Sequence, residues 1–332
     1  MKHVAVIGLG NIANRHRRNL KLLFPNITIS AMSASGRTPS EPISDCDYIT
    51  TSLDELISSH VQLVIIASPA PYHSKHAIPL IKAKIPILIE KPVTSTLKDA
   101  EILEQISKQY NTPIAIGYCL RYLSSAQEMK KLIDSDIIGT LYYANIEIGQ
   151  YLPDWRPNKN YHDCVSANSE LGGGALLELS HEIDYTQWLL GSLNLKYAIL
   201  QRSDELGLDV EDNVNILATA MRGTIVNIHL DFLQRKAYRQ CRFVGSKGTL
   251  EWNLINNEIR LISNNSTNIL YSVPEWDKNQ MYLDMIIDFI NKINNKKNQS
   301  ITLSEAIETL TLIEQIKSKY PITKTSTIFN KE

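Results

Sequence analysis

The chain has 332 residues, 43% of them hydrophobic, which is enough for two domains with cores of their own. Its 34 Lys and Arg nearly balance 35 Asp and Glu, so charge gives no argument for a nucleic acid or a charged membrane surface as partner. No apolar run approaches the roughly 20 residues of a membrane helix, and Cys46, Cys119, Cys164 and Cys241 lie far apart with no C-x-x-C spacing. They read as reduced thiols of a soluble, cytoplasmic protein, and a first strand beginning at residue 4 leaves no room for a signal peptide.

Residues 4–7, Val-Ala-Val-Ile, read as a buried strand. Gly8-Leu9-Gly10-Asn11-Ile12-Ala13 follows, and a helix through residue 23 sets Ile12, His16, Leu20 and Leu23 on one side. Strand, glycine turn and helix in that order form the dinucleotide fingerprint. Gly8 allows the tight turn and Gly10 lets the backbone approach a pyrophosphate. Ala13 is small enough for helix–strand packing, with the anion over the helix N-terminus. The second strand, 27–32, runs into Ser33-Ala34-Ser35-Gly36-Arg37, without the carboxylate that an NAD site places roughly 20 residues after the glycines. Ser33, Ser35 and Arg37 suit a 2′-phosphate, which favours NADP while leaving NAD open. The plainer alternative is a Ser-rich turn ending in a solvated Arg.

A polar, Pro-containing stretch leads to a short helix at 53–58. A strand at 61–67, a helix at 72–84, a strand at 85–89, a helix at 97–109 and a strand at 113–117 follow. This alternation predicts an α/β Rossmann domain over 1–120 with a doubly wound parallel sheet. Glu90-Lys91-Pro92 stands at the carboxyl end of the 85–89 run, where open α/β sheets bind ligands. Pro92 fixes its own φ and permits a cis bond after Lys91, so the backbone can aim that ammonium. A lysine at an arbitrary strand end is usually only solvated.

After Arg121 the pattern changes to a second, α+β domain over 121–332. A helix at 125–135 and a strand at 141–148 precede a long loop carrying Tyr151, Trp155, Arg156 and Tyr161. A helix spans 174–190, and strands at 195–202, 214–221, 224–232, 239–244, 248–253 and 258–262 imply a large, mainly antiparallel open sheet. Helices at 282–293 and 304–319 close the chain, and the Asn-rich stretches 253–268 and 291–298 read as loops. One sheet face is left for a second copy, so a homodimer or homotetramer is expected.

Gly172-Gly173-Gly174 opens the 174–190 helix, in which Glu178, His181, Tyr185 and Trp188 share one face. Leu176, Leu179, Ile183 and Leu190 share the other. His181 can pass a proton to or from a hydroxyl, with Asp184 one turn on to orient it; the alternative is a surface or core histidine. Aromatic faces of the 151–161 loop can stack on sugar or nicotinamide rings, and Arg121, Arg156, Tyr238 and Arg239 can hold an anion. Equally, the aromatics pack an interface and the arginines are solvated. His73 reads as lying near the cofactor, and His3, His60 and His229 as structural. His162 near Cys164 lacks further ligands, so no metal is expected.

These residues resemble the Gfo/Idh/MocA oxidoreductases over nearly the whole chain. The resemblance rests on Gly8-x-Gly10-x-x-Ala13-x-x-His16, Ala67-Ser68-Pro69 with His73, Glu90-Lys91-Pro92, Gly117-Tyr118 with Arg121-Tyr122, the glycine-opened helix, and Gly245-Ser246-Lys247-Gly248-Thr249-Leu250. It implies an NAD(P)-dependent enzyme acting on a CH–OH group of a sugar derivative. By that resemblance Lys91 contacts substrate and nicotinamide ribose, and His181 matches the catalytic histidine. Asn11, Ile12, Ser68, Pro69, His73, Glu90, Arg121, Trp155 and Arg156 join the glycines around the cofactor, while Tyr151, Tyr161, Tyr238 and Arg239 face substrate. The family's usual helix places an Asp four residues before the histidine. Here Glu178 precedes it by three, which leaves Asp184 or Glu182 as its partner. Residues 149–156 and 178–185 are similar to a subgroup of bacterial surface-polysaccharide biosynthesis, implying a nucleotide sugar or a nonulosonic acid. Two alternatives remain within the resemblance: a redox-neutral, NAD-dependent glycosidase-like enzyme, and a non-catalytic dinucleotide-sensing protein.

Overall fold

Short runs of Val, Ile and Ala, buried on both faces, become the strands of a parallel sheet. In the computed structural model, which describes residues 1–264 and 266–325, the first unit begins with β1 (His3–Ile7), α1 (Asn11–Leu23), β2 (Thr28–Met32), β3 (Tyr48–Thr50) and α2 (Leu53–Ser58). It continues with β4 (Val64–Ile66), α3 (His73–Lys82), β5 (Ile87–Ile89), α4 (Leu97–Tyr110) and β6 (Ile114–Ile116). The strand order is β3-β2-β1-β4-β5-β6, all parallel, so the winding reverses between β1 and β4. That reversal leaves a crevice at the carboxyl ends of β1 and β4, the place where such sheets take ligands. Ser52 and Thr96 cap α2 and α4, each side chain accepting a backbone N–H three residues on. β3 lies inside the stretch expected to be irregular. It is an edge strand with Tyr48 and Ile49 exposed, too short to show a period.

The second unit contains α5 (Ser124–Asp134), β7 (Leu141–Gly149), α6 (Ala175–Glu178), α7 (His181–Leu190), β8 (Asn194–Ser203), β9 (Asn213–Thr219) and β10 (Ile225–Asp231). The chain then forms β11 (Tyr238–Gly245), β12 (Thr249–Asn253), β13 (Glu258–Ser263), β14 (Ser266–Ser272), α8 (Gln280–Ile293), α9 (Leu303–Lys319) and β15 (Ile322–Thr325). Nine strands run in the order β14-β13-β12-β11-β7-β10-β9-β8-β15. The pairs β7–β10 and β8–β15 are parallel and the others antiparallel. One face buries Ala144, Ile146, Val214, Ile216, Val226 and Ile228, whereas Tyr197, Ile199, Leu217 and Ile225 on the other face are exposed.

Three expectations need correction. The helix expected over 174–190 is two helices, broken at Leu179 (φ −100°, ψ 25°) with no Gly or Pro to announce it. The Asn-rich stretch does not end as a loop, since residues from Ser266 enter β14. The division of the chain is not 1–120 and 121–332. The compact units are Met1–Cys119 with Asn279–Leu310, and Leu120–Lys278 with the chain from Thr311 on. Burial explains the return of α8. Asn19 and Asn279 exchange amide hydrogen bonds at 3.1 and 2.8 Å, Tyr282 sets its ring edge-on to His16, and Lys292 Nζ donates to Ile114 O at 2.8 Å. Among the described residues no helix is long and apolar enough to cross a membrane.

Candidate functional site

The glycine turn between β1 and α1 contains two glycines with different reasons to be there. Gly8 has φ +117°, and a Cβ on it would lie 2.3 Å from the Ala67 carbonyl oxygen, so the fold itself demands glycine. At Gly10 an added Cβ would meet nothing within 4 Å. Gly10 is also the N-cap of α1, with no side-chain cap bond and no acid in the first turn, so the helix N-terminus keeps its positive end for an anion. A glycine that the protein does not need, at an uncapped helix start, fits a pyrophosphate approaching the backbone.

Around this turn the expected cofactor residues separate into two groups. Asn11 and Ile12 open α1, while Ser35 and Arg37 are exposed beyond β2. Ser33 is buried, its hydroxyl donating to Arg37 O at 2.8 Å, so it shapes the turn. Ser68 donates through Oγ to His76 Nδ1 at 3.1 Å, and His76 Nε2 donates to Ala34 O at 3.1 Å, joining the ends of β2 and β4. Burial pushes the His76 pKa down to about 4, so the ring is neutral in this bridge. Pro69 starts the short turn after β4. His73 is buried between carbonyls, Nε2 2.7 Å from Ser68 O and Nδ1 3.1 and 3.2 Å from Pro92 O and Val93 O. Burial holds its pKa below the usual value. It braces the ends of β4 and β5 rather than presenting a nitrogen to a ligand.

At the end of β5 the Lys91–Pro92 bond is cis and Lys91 is half-buried. Glu90, expected beside the cofactor, is buried instead, and His16 Nε2 donates to its Oε1 at 2.6 Å. Neither the pairing of His16 with Glu90 nor the bridging role of His76 was legible, because each joins residues from separate elements.

In the second unit, His181 opens α7 and is half-exposed. The acids that follow it have arginine partners. Arg121 donates to Asp184 through Nε at 2.9 Å and Nη2 at 2.7 Å; the pair is buried. Arg239 donates to the fully buried Glu182 through Nε at 2.7 Å and Nη2 at 3.0 Å. Both are the bidentate, charge-assisted kind. Arg121 and Arg239, expected to hold an anion, thus hold the first turn of the helix that carries His181. Glu178 lies across the helix break from His181 and accepts from Ser166 Oγ at 2.8 Å. Tyr185, expected on the helix face shared with His181, is fully buried. Its OH lies 3.3 Å from Cys241 Sγ, and burial raises its pKa well above the usual value.

The loop aromatics are largely engaged. Tyr151 OH donates to Glu205 at 3.2 Å and its ring lies 3.7 Å under the Arg235 guanidinium. Trp155 Nε1 donates to Gln150 O at 3.2 Å, its ring edge-on to Phe232. Tyr161 OH donates to Leu206 O at 3.2 Å, and Tyr238 OH to Gln240 Oε1 at 3.2 Å. Arg156 is half-exposed.

Comparison with known proteins meets this geometry at both units. Residues 2–118 match the oxidoreductase family with an NAD-binding Rossmann fold, and residues 126–251 match the GFO/IDH/MocA C-terminal domain. The chain is a member of the Gfo/Idh/MocA oxidoreductase family. Its first unit is therefore an NAD(P)-binding Rossmann domain. An uncharacterised oxidoreductase of Synechocystis is 32% identical over 169 residues, 49% of this chain and 45% of that protein, so the match spans less than half of that relative. Inositol 2-dehydrogenase 3 of Saccharopolyspora erythraea is 24% identical, covering 74% of this chain and 72% of that one. Among solved structures, levoglucosan dehydrogenase in complex with NADH has a TM-score of 0.82 at 18% identity, with 96% of each chain covered. UDP-N-acetylglucosamine 3-dehydrogenase from Acidithiobacillus ferrooxidans has a TM-score of 0.77 at 18% identity, covering 96% of this chain and 97% of that one. At such identities these Gfo/Idh/MocA structures speak for the fold alone.

Proposed function

We propose that the protein moves hydride between a nicotinamide and a hydroxyl or keto carbon of a sugar derivative, with NADP preferred over NAD. The observation that carries this reading is Gly10, unneeded by the fold and standing at an uncapped helix start below the topological switch. A bound nicotinamide supplies the hydride acceptor or donor. Lys91 stabilises charge on the substrate oxygen, and His181 gives or takes the hydroxyl proton. The arginine clamps on Glu182 and Asp184 keep the start of α7, and so the imidazole, in one orientation. For NADP, the support is an exposed Arg37 and Ser35 with no carboxylate in 33–37. A nucleotide sugar or a nonulosonic acid of surface-polysaccharide biosynthesis remains the proposed substrate class. Its support is the resemblance of residues 149–156 and 178–185 to that subgroup, and a UDP-N-acetylglucosamine 3-dehydrogenase shares the fold.

The test is absorbance at the reduced-nicotinamide band with NADP and NAD against UDP-N-acetylglucosamine, a nonulosonic acid, inositol and levoglucosan. Net reduction is expected with one of them, and Lys91→Ala should lower turnover by at least about 10²-fold while cofactor binding stays measurable. Turnover of the Lys91→Ala protein at the native rate would remove Lys91 from the chemistry. Substrate consumption without net absorbance change would point to the redox-neutral alternative. We also propose a homo-oligomer formed through the sheet face bearing Tyr197, Ile199, Leu217 and Ile225, all exposed. Leu217→Glu should then lower the mass seen by light scattering.

A further inference from the structure

Behind Lys91 the first unit buries an acid–base pair that the proposed chemistry does not use. His16 on α1 is completely buried and its Nε2 donates to Glu90 Oε1 at 2.6 Å. Its Nδ1 is buried with no hydrogen-bond partner among the described residues. An orphaned buried nitrogen costs about 1–3 kcal/mol, so packing alone would favour an apolar residue here. What the position retains is the bond to Glu90.

The surroundings are built to keep Glu90 inside. A Cβ on Gly117, just past β6, would lie 2.9 Å from Glu90 Oε2, so only glycine leaves room for the carboxylate. Tyr282 of α8 covers His16 edge-on at 6.2 Å between ring centroids, and Arg15 lies 4.5 Å over the tyrosine ring. The titratable groups around the carboxylate are His16, Tyr282 with Cys119 and Arg15 beside it, His73, and Lys91 as its chain neighbour. A buried carboxylate needs a partner. Glu90 Oε2 accepts the Lys91 backbone N–H at 3.2 Å, and without His16 the next cation along the chain is the Lys91 ammonium.

We propose that His16 is a positioning residue for Lys91: by holding the Glu90 carboxylate it keeps that charge from capturing the neighbouring ammonium, and it ties the helix of the glycine turn to the lysine. This rests on the reading that Lys91 is the reacting lysine. α1 then has two tasks, an N-terminus for the dinucleotide and, one turn on, a side chain that sets the charge beside the chemistry.

Lysine acetylation by an N-hydroxysuccinimide ester tests it on the whole chain, with the Lys91 peptide read by mass spectrometry against exposed Lys108. In His16→Leu, Lys91 is expected to label at least about fivefold more slowly, because the released carboxylate stabilises the ammonium. His16→Gln, which keeps an N–H at similar reach, should stay within about twofold of native, whereas the shorter His16→Asn should label slowly. Adding Glu90→Gln to His16→Leu should restore the native rate, a rescue that a purely structural role would not give. Native labelling in His16→Leu, or in His16→Asn where the leucine variant fails to fold, would overturn the proposal. So would slow labelling that persists in a folded double variant. Labelling needs no substrate, so a native protein that oxidises no sugar would sink the activity reading and leave this result standing.

Discussion

The carboxyl edge of the first sheet and the start of α7 solve the same problem, fixing a polar group, by different means. At the first, backbone does most of the work: a glycine at φ +117°, an uncapped helix start, and a histidine bridging the carbonyls of two strand ends. At the second, long side chains do it, with Arg121 and Arg239 reaching 63 and 57 residues along the chain to Asp184 and Glu182. A site built from backbone reads as a motif, because its parts are adjacent in sequence. A site held by distant ion pairs has no motif to read.

The largest expected effect tests the side-chain half. Arg121→Ala leaves the buried Asp184 carboxylate without its bidentate partner and should cost about 3–5 kcal/mol in chemical denaturation. Arg239→Ala should cost less, since Arg239 is partly solvated. A loss below about 1 kcal/mol for Arg121→Ala would break the claim that this pair holds α7. The backbone half is tested by the two glycines. Gly8→Ala forces a Cβ against a carbonyl at positive φ and should cost about 2–4 kcal/mol. Gly10→Ala should leave stability within about 1 kcal/mol yet weaken dinucleotide binding at least about tenfold by titration calorimetry. Equal effects at the two positions would erase the distinction between a glycine for the fold and a glycine for a ligand.

Smaller effects follow from pH. The His76 pKa is lowered from 6.5 to about 4 by burial, so its contribution to stability is complete above the free value and is lost as pH falls toward 4. Melting scans across that window should show His76→Gln losing less stability than the native protein. In the second unit burial raises the Glu211 pKa, although its carboxylate accepts the Leu176 N–H at 3.1 Å. A carboxyl group with a raised folded-state pKa favours the fold at low pH and loses that contribution as pH rises through the raised value. Glu211→Gln should therefore melt about 2–4 °C higher than native near neutral pH, with the gain vanishing in mild acid.

Much of the first unit was legible, since strand–helix alternation and the glycine turn are local patterns, and the strands at 3–7, 28–32 and 87–89 lie where apolar runs stand. β3 and β14 were not, because an exposed edge strand with polar residues carries no clear period. The break at Leu179 was hidden for a related reason: Ala175 to Glu178 before it favour helix, no Gly or Pro follows directly, and packing overrides the local preference. Glu90 was expected beside the cofactor and Tyr185 on the helix face of His181, and tertiary contacts bury both.

By itself the sequence determined the fold class, the dinucleotide turn and the lysine at a parallel strand end, because local geometry and apolar periodicity are written in consecutive residues. Tertiary structure decided which charges are neutralised and which stay half-exposed. Burial and pairing depend on residues brought together from distant elements, and desolvation acts on the pair rather than on either residue alone.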